Sequence, residues 1–149
     1  MGNAIRKDQK MNKKAVTLLR VSYWVGAVMD IGAGLIMTFP ILFSFFNQLT
    51  GFTPTPAFKA VAGMGAPLMF GWTVLLIWAD RKPVERKAVL LITLIPIIGN
   101  LVNQVFNVTS GFVTVNSAIP QWIMQVLLIA LFAYSCWFAS RVNKTAIKH

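Results

Sequence analysis

One carboxylic acid lies inside a long apolar stretch of this chain, where few residue types could do chemistry. Asp30 falls in the apolar run 21–46, ten positions after Arg20, which corresponds to about 15 Å along a helix. An acid at that depth costs at least ~2.5 kcal/mol to insert and usually contacts a partner group, water or a ligand. The sequence leaves two interpretations: a site for a proton, cation or basic ligand, or a protonated acid that fastens helices together.

Small residues flank this acid at helical spacing. Gly26 and Gly34 lie four positions before and after Asp30, so the three residues share one face of a helix. Small residues let another helix approach closely, and they equally leave room for a ligand. Close packing is the commoner of these two arrangements.

A stripe of carboxamides is the second feature that could bind a ligand. It consists of Asn100, Asn103, Gln104 and Asn107, and a shorter stripe one segment later consists of Gln121 and Gln125. Because amides that face lipid are costly, we expect the stripe to point inward. It predicts either a polar passage leading to Asp30 or amide hydrogen bonds between helices, worth about 0.6–2 kcal/mol each. The predicted ligand or ion pathway consists of Asp30, Asn100, Asn103, Gln104, Asn107 and Gln125.

Three prolines, Pro40, Pro67 and Pro96, fall inside or near the end of apolar segments. Each removes a backbone hydrogen bond and tends to kink its helix. Helices bent at three points seldom close into a uniform bundle. We therefore interpret these prolines as hinges and expect a cavity between the helices.

The elements that must carry these residues are four apolar segments. About twenty helical residues cross the hydrocarbon of a bilayer, and the predicted helices cover residues 17–46, 57–79, 84–106 and 119–140. A composition of 56% hydrophobic and 12% charged residues, with mean hydropathy +0.66, exceeds what a soluble domain of this size buries. The predicted fold is an all-α membrane protein, a single domain (1–149) of four transmembrane helices in a bundle, several of them kinked at proline.

The basic residues predict the orientation of the chain. Of its 14 Lys and Arg residues, six precede residue 21, four lie in the turn 80–87 and three in the tail 141–149. The loops on the opposite side contain only Lys59. The positive-inside rule therefore places the N-terminal segment 1–16, the central turn and the tail in the cytoplasm, beside anionic lipid headgroups. This clustering accounts for the net charge of +10 without nucleic acid, since no recognition helix carries the basic residues.

Residues that many enzymes require are missing from the apolar segments. The one histidine is His149 and the one cysteine is Cys136, so neither a metal-ligand set nor a His-containing catalytic pair can be assembled. No lysine lies in the interior of a span, where it could form a Schiff base with a cofactor. We expect neither enzymatic activity nor a metal or other cofactor.

Two functions fit these patterns. The first is binding or transport of a small lipophilic molecule, a proton or a cation in a polar cavity between the helices, with Asp30 at its floor. The second is an accessory or assembly role, in which glycine faces and amides contact other helices in a homo-oligomer or a larger membrane complex. The short tails and basic inner loops favour a bacterial cytoplasmic (inner) membrane.

Overall fold

The computed structural model describes residues 2–146, and the side chains of residues 13–142. Within these ranges the chain forms helices and no strand. In chain order the helices are α1 (Gly2–Thr38), α2 (Pro40–Phe46), α3 (Pro56–Asp80), α4 (Ala88–Thr109) and α5 (Val115–Ala146).

Four of these helices are long and apolar enough to cross a membrane, as the hydropathy predicted. Their candidate spans cover residues 13–38, 56–80, 88–109 and 115–142. The bounds of α3 agree with the predicted ones to within one residue, whereas those of the other long helices differ by more. Helix α1 covers 2–38 instead of 17–46, α4 covers 88–109 instead of 84–106, and α5 covers 115–146 instead of 119–140. Residues 147–149 of the predicted basic tail lie outside the described part of the chain.

Pro40 divides the first predicted span into two helices. Phe39 adopts extended geometry, with φ −111° and ψ 105°, and Pro40 then occupies the first position of α2. The residue before a proline is driven out of the helical region by steric conflict with the pyrrolidine ring. Pro40 is thus a helix boundary, whereas Pro67 and Pro96 lie inside α3 and α4.

The turn between α3 and α4 explains why α4 starts late. The Val89 nitrogen donates to the Arg86 carbonyl at 2.9 Å, a three-residue separation that is tighter than an α-helical turn. The Tyr23 hydroxyl of α1 donates to the same carbonyl at 3.0 Å. Residues 81–87 therefore form turns fastened to α1, and regular helix begins only after them.

Helix α1 holds the assembly together. It packs extensively along α3 and also packs against α5, α5 packs against α4, and contact between α3 and α4 is sparse. The largest fully buried side chains are Tyr23 and Leu19 of α1, Leu76 of α3, Leu90 of α4 and Phe132 of α5. The core therefore lies toward the end of the helices that carries the 81–87 turn.

Glycines on α1 allow its neighbours to approach closely. A Cβ added to Gly26 would lie 3.0 Å from Leu76 Cδ1 and 3.0 Å from Phe132 Cζ. A Cβ added to Gly34 would lie 2.7 Å from Phe70 Cε1. At these two positions the small residues serve close packing, the commoner of the two arrangements considered from the sequence.

Hydroxyl groups bridge the helices where side chains are fully buried. Ser22 Oγ of α1 lies 2.7 Å from Ser135 Oγ of α5, and Trp72 Nε1 of α3 donates to Thr93 Oγ1 of α4 at 3.1 Å. Thr93 Oγ1 also donates to the carbonyl one turn earlier in its own helix. One of the two serines donates to the other, and the accepting serine donates its single hydrogen to the carbonyl one turn earlier in its own helix. Such bonds satisfy polar groups that lipid cannot hydrate.

A substitution at Gly34 tests the α1–α3 packing. We expect Gly34→Ala to destabilise the protein by about 1–3 kcal/mol, because the new methyl group overlaps the Phe70 ring. Gly32→Ala is the matched control, since a Cβ there meets nothing within 4 Å, and it should be neutral or stabilising by about 0.5–1 kcal/mol. Unfolding in mixed detergent micelles measures both variants. Equal stability of the two would contradict this packing.

Candidate functional site

Asp30 lies on the face of α1 that meets the other helices. It is half-buried and comes one turn after Gly26, which contacts both α3 and α5, and one turn before Gly34, which contacts α3. Its Oδ2 atom is buried and has no hydrogen-bond partner among the described residues. A carboxyl oxygen that gives up hydration without a partner is costly, so the described residues leave one acceptor at this position unsatisfied.

Gln125 of α5 lies at nearly the same depth as Asp30. The Ser22–Ser135 bond and the Gly26–Phe132 contact set an antiparallel register between α1 and α5. Extending that register places Asp30 opposite residues 127–128, within about one helical turn of Gln125. Gln125 is only 4% exposed, and its Oε1 also lacks a hydrogen-bond partner among the described residues.

A second group of amides links three helices nearer the ends of the spans. Gln104 Nε2 of α4 donates to Gln121 Oε1 of α5. Gln121 Nε2 in turn donates at 3.4 Å to Oδ1 of Asn47, the residue that ends α2. Gln104 is 7% exposed and its own Oε1 has no partner in the described part of the chain. This chain of amides lies between the Asp30–Gln125 level and the loop ends.

Two of the predicted pathway residues lie elsewhere. Asn100 and Asn103 are exposed on α4, and Asn107 is half-buried; the inward orientation expected for the first two is not the one the structure shows. The face that α4 packs against its neighbours is centred about 70° around the helix from the amide stripe, at 100° per residue. Gln104 lies on both the packing face and the amide stripe, and it is the one buried residue among the four amides of the stripe.

A cavity of about 580 Å³ lies among α1, α2 and α3. It is lined by Met37, Thr38, Pro40, Phe58, Lys59, Ala62, Gly63, Ala66, Pro67 and Phe70. Two of the predicted hinge prolines thus border it, whereas Asp30 and the amides of α4 and α5 do not. The cavity and the polar group around Asp30 are two separate features.

Sequence reasoning missed several residues that complete the polar arrangement. Asn47 looked like part of a polar turn, and Ser22 and Ser135 carried no signal beyond being small. In the sequence, a serine that forms a hydrogen bond to another helix looks the same as a serine that bonds only to its own helix. Only the pairing of α1 with α5 shows that these two hydroxyls meet.

Metal binding has no support in the side chains that the structure describes. No three or more His, Cys, Asp or Glu residues come together there.

Comparison with known proteins finds no matching family, no matching curated protein and no matching solved structure. The site must therefore be interpreted from its own chemistry.

Two glutamines provide a contrast that tests the site. We expect Gln125→Leu to be neutral or stabilising by about 1 kcal/mol, because it removes a buried oxygen that has no partner. Gln104→Leu should be less stable than Gln125→Leu by about 1–3 kcal/mol, because each variant removes one unpartnered oxygen but Gln104→Leu also leaves Gln121 Oε1 without its donor. Unfolding of both variants in the same detergent gives the comparison. A large loss of stability in Gln125→Leu would mean that this side chain is already satisfied, and would remove it from the site.

Proposed function

We propose that this is a small integral membrane protein that binds or transports a small lipophilic molecule, a proton or a cation at a polar site inside a four-helix bundle. Four apolar helices long enough to span a membrane are its setting. The observation that carries the proposal is the buried Oδ2 of Asp30, which has no hydrogen-bond partner among the described residues.

The unpartnered groups indicate what kind of ligand fits. Asp30 Oδ2, Gln104 Oε1 and Gln125 Oε1, from α1, α4 and α5, are oxygen acceptors, as is Asp80 Oδ1 at the end of α3. Trp122 Nε1 of α5 is the one donor among the buried unpartnered groups of the described residues. An oxygen acceptor is satisfied by a hydrogen-bond donor or by a positive charge. A proton, or a lipophilic molecule with a cationic or donor group, therefore suits the site better than an anion.

The packing around Asp30 favours access from one end. Toward the 81–87 turn, Gly26 is closely packed against both α3, at Leu76, and α5, at Phe132, whereas toward the other end Gly34 is closely packed against α3 alone, at Phe70. Toward the other end lie Gln125 and then the amide group of Gln104 and Gln121. A ligand would reach Asp30 along the amides, and release on the opposite side would require bending of the helices, for which Pro67 and Pro96 are the proposed hinges.

The proposed orientation keeps both termini and the 81–87 turn in the cytoplasm. Cations and aromatic rings are paired at that end of the helices: the Arg86 guanidinium lies 3.4 Å from the Trp78 ring centroid, and that of Arg141 lies 4.1 Å from the Trp137 centroid. Aromatic and basic side chains are typical of a membrane interface, where anionic headgroups attract Lys and Arg. We propose anionic headgroups as the partner of this end.

A second candidate function, lateral assembly, is favoured by the surface of α4. Asn100 and Asn103 are exposed within a candidate span, and Gly99 beside them has open space around the position of a Cβ. Amides facing lipid are costly, whereas amides and small residues commonly mediate contact between transmembrane helices. A second copy of the chain would offer each asparagine an amide that both donates and accepts. A larger membrane complex could offer the same.

Substitution of Asp30 tests the binding proposal. In reconstituted vesicles, Asp30→Asn should bind the lipophilic cation tetraphenylphosphonium at least about tenfold more weakly than wild type, because the variant has no carboxylate to pair with the positive charge, and close charge pairs contribute about 1.5–7 kcal/mol. Its proton flux, followed with an enclosed pH-sensitive dye, should fall in parallel. Asp30→Glu should retain part of both activities, because it keeps the carboxyl group.

Asp80→Asn is the matched control for this experiment. Asp80 is the other aspartate on a described span, but it lies at the end of α3 and pairs with Arg20 at 3.8 Å. This variant should bind the cation and conduct protons as wild type does. Wild-type binding and flux in Asp30→Asn, or equal losses in both variants, would overturn the role of Asp30.

A separate experiment tests lateral assembly. We expect Asn100→Leu/Asn103→Leu to associate about tenfold more weakly than wild type, because each amide contact between helices is worth about 0.6–2 kcal/mol. Val105→Leu, on an exposed apolar position of the same helix, should associate as wild type does. Mass measurement in mild detergent across a range of concentrations reports the association. A wild-type protein that stays monomeric at every concentration would contradict this second function.

A further inference from the structure

The cavity among α1, α2 and α3 has an origin that the fold explains. Helix α1 ends at Thr38, and α2 turns away after the extended residue Phe39, so α1 no longer covers the first turns of α3. The side of α3 that lines the cavity is made of small residues, the buried Ala66, the half-buried Ala62 and the exposed Gly63. A shallow apolar floor results, with Met37 and Phe70 at its sides.

One cation lies at the mouth of this apolar cavity. Lys59 lines it and is exposed, and it is the one Lys or Arg outside the three basic clusters of the chain. Among the described acids, Asp80 pairs with Arg20 and Glu85 pairs with Lys82, so neither is the partner of Lys59. A lysine beside an apolar cavity can lay its stem along the cavity and extend its ammonium group to the headgroup level.

The position of Lys59 within α3 strengthens the attraction of this end of the helix for an anion. It is the fourth residue of a 25-residue helix that begins at Pro56. The first turn of a helix carries a partial positive charge, which a lysine there reinforces and an anion offsets. The Thr55 hydroxyl accepts from the Phe58 nitrogen at 3.1 Å and the Thr55 carbonyl accepts from the Lys59 nitrogen at 3.0 Å. Because Pro56 has no N–H, the Ala57 amide is the one donor of that turn left for an acidic headgroup.

We propose that this cavity binds one acyl chain of an anionic phospholipid, with the lipid phosphate at Lys59. A volume of about 580 Å³ is in the range of about 300–1,000 Å³ that small-ligand sites occupy. Its lining is apolar apart from Lys59 and Thr38, which matches a hydrocarbon chain with one charged end. The charge requirement is the opposite of that at Asp30, so this site is separate from the proposed cation site.

The open side of the cavity distinguishes a bilayer lipid from a water-borne ligand. Gly63 and Pro67 line the cavity and are exposed, and in a membrane-spanning helix this exposed surface faces the acyl chains. The opposite wall is rigid and aromatic: Phe58 packs against Phe43 and Phe52, with ring centroids 4.7 Å and 5.1 Å apart. A phospholipid can enter sideways from the membrane while its headgroup stays in the interface.

Photocrosslinking of a defined lipid tests the proposal. The full chain is reconstituted in phosphatidylcholine vesicles that contain phosphatidylglycerol with a photoactivatable group on its acyl chain, and labelled peptides are identified by mass spectrometry. We expect labels on residues of the cavity in wild type. Gly63→Leu should abolish this labelling, because Gly63 lines the cavity and has open space at the position of a Cβ, so a leucine there would occupy cavity volume.

Gly71→Leu is the matched control, since Gly71 also has open space at the position of a Cβ on α3 but does not line the cavity. It should label as wild type does. Lys59→Gln should reduce labelling by phosphatidylglycerol about fivefold, the effect of one basic residue near an anionic lipid. Labelling of the same residues by photoactivatable phosphatidylcholine should be weak and unaffected by Lys59→Gln.

Three results would overturn the proposal. Equal labelling in Gly63→Leu and Gly71→Leu would show that the cavity holds no acyl chain. Equal labelling of wild type by the anionic and the zwitterionic lipid would show that Lys59 does not select a headgroup. Strong competition by a free fatty acid at concentrations where phosphatidylglycerol does not compete would identify a different ligand. Asp30→Asn should leave all these labels unchanged, so failure of the cation site does not affect this test.

Discussion

The absence of hydrogen-bonding solvent in a membrane is the constraint on which this structure depends. Every polar group within a span must find its partner inside the protein. Most do so here by simple means, such as the Ser22–Ser135 contact between α1 and α5 and the Trp72–Thr93 bond between α3 and α4. Against that background, the unpartnered oxygens of Asp30 and Gln125 are exceptions that call for an explanation by function. The proposed cation site gives one, because a donor or a positive charge would complete what the chain leaves open.

Close packing and polar incompleteness lie side by side on α1. Gly26 and Gly34 bring α3 and α5 near, and that proximity fixes the depth and surroundings of the half-buried Asp30 between them. Tight packing on each side means that the acid cannot move far from its position. Closely packed helices around unsatisfied polar groups are the arrangement expected of a binding site that is largely preformed.

The sequence predicted the number of long apolar helices because hydropathy and bilayer thickness act over whole segments. It did not predict which side of each helix packs against its neighbours. Asn100 and Asn103 share a stripe with Gln104, yet only Gln104 faces a neighbour, because the packing face of α4 is set by α5 and not by polarity alone. The prolines led us to expect a cavity between the helices, and Pro40 and Pro67 border one, but its location beside Lys59 was not predicted, since it arises where α1 ends before Phe39 against the side of α3. Such features depend on how helices are arranged in space, and spacing along one segment does not contain that information.

The sparse contact between α3 and α4 has a consequence for how the chain holds together. These two helices are neighbours in sequence, joined by the short turn 81–87, yet each is bound mainly to another element, α3 to α1 and α4 to α5. The interface between α1 and α5 then connects the two halves. The peptide bonds of the turn are therefore not what holds the two pairs of helices together. A chain cut within the turn would stay associated through the contact between α1 and α5, and the two fragments would assemble after separate synthesis.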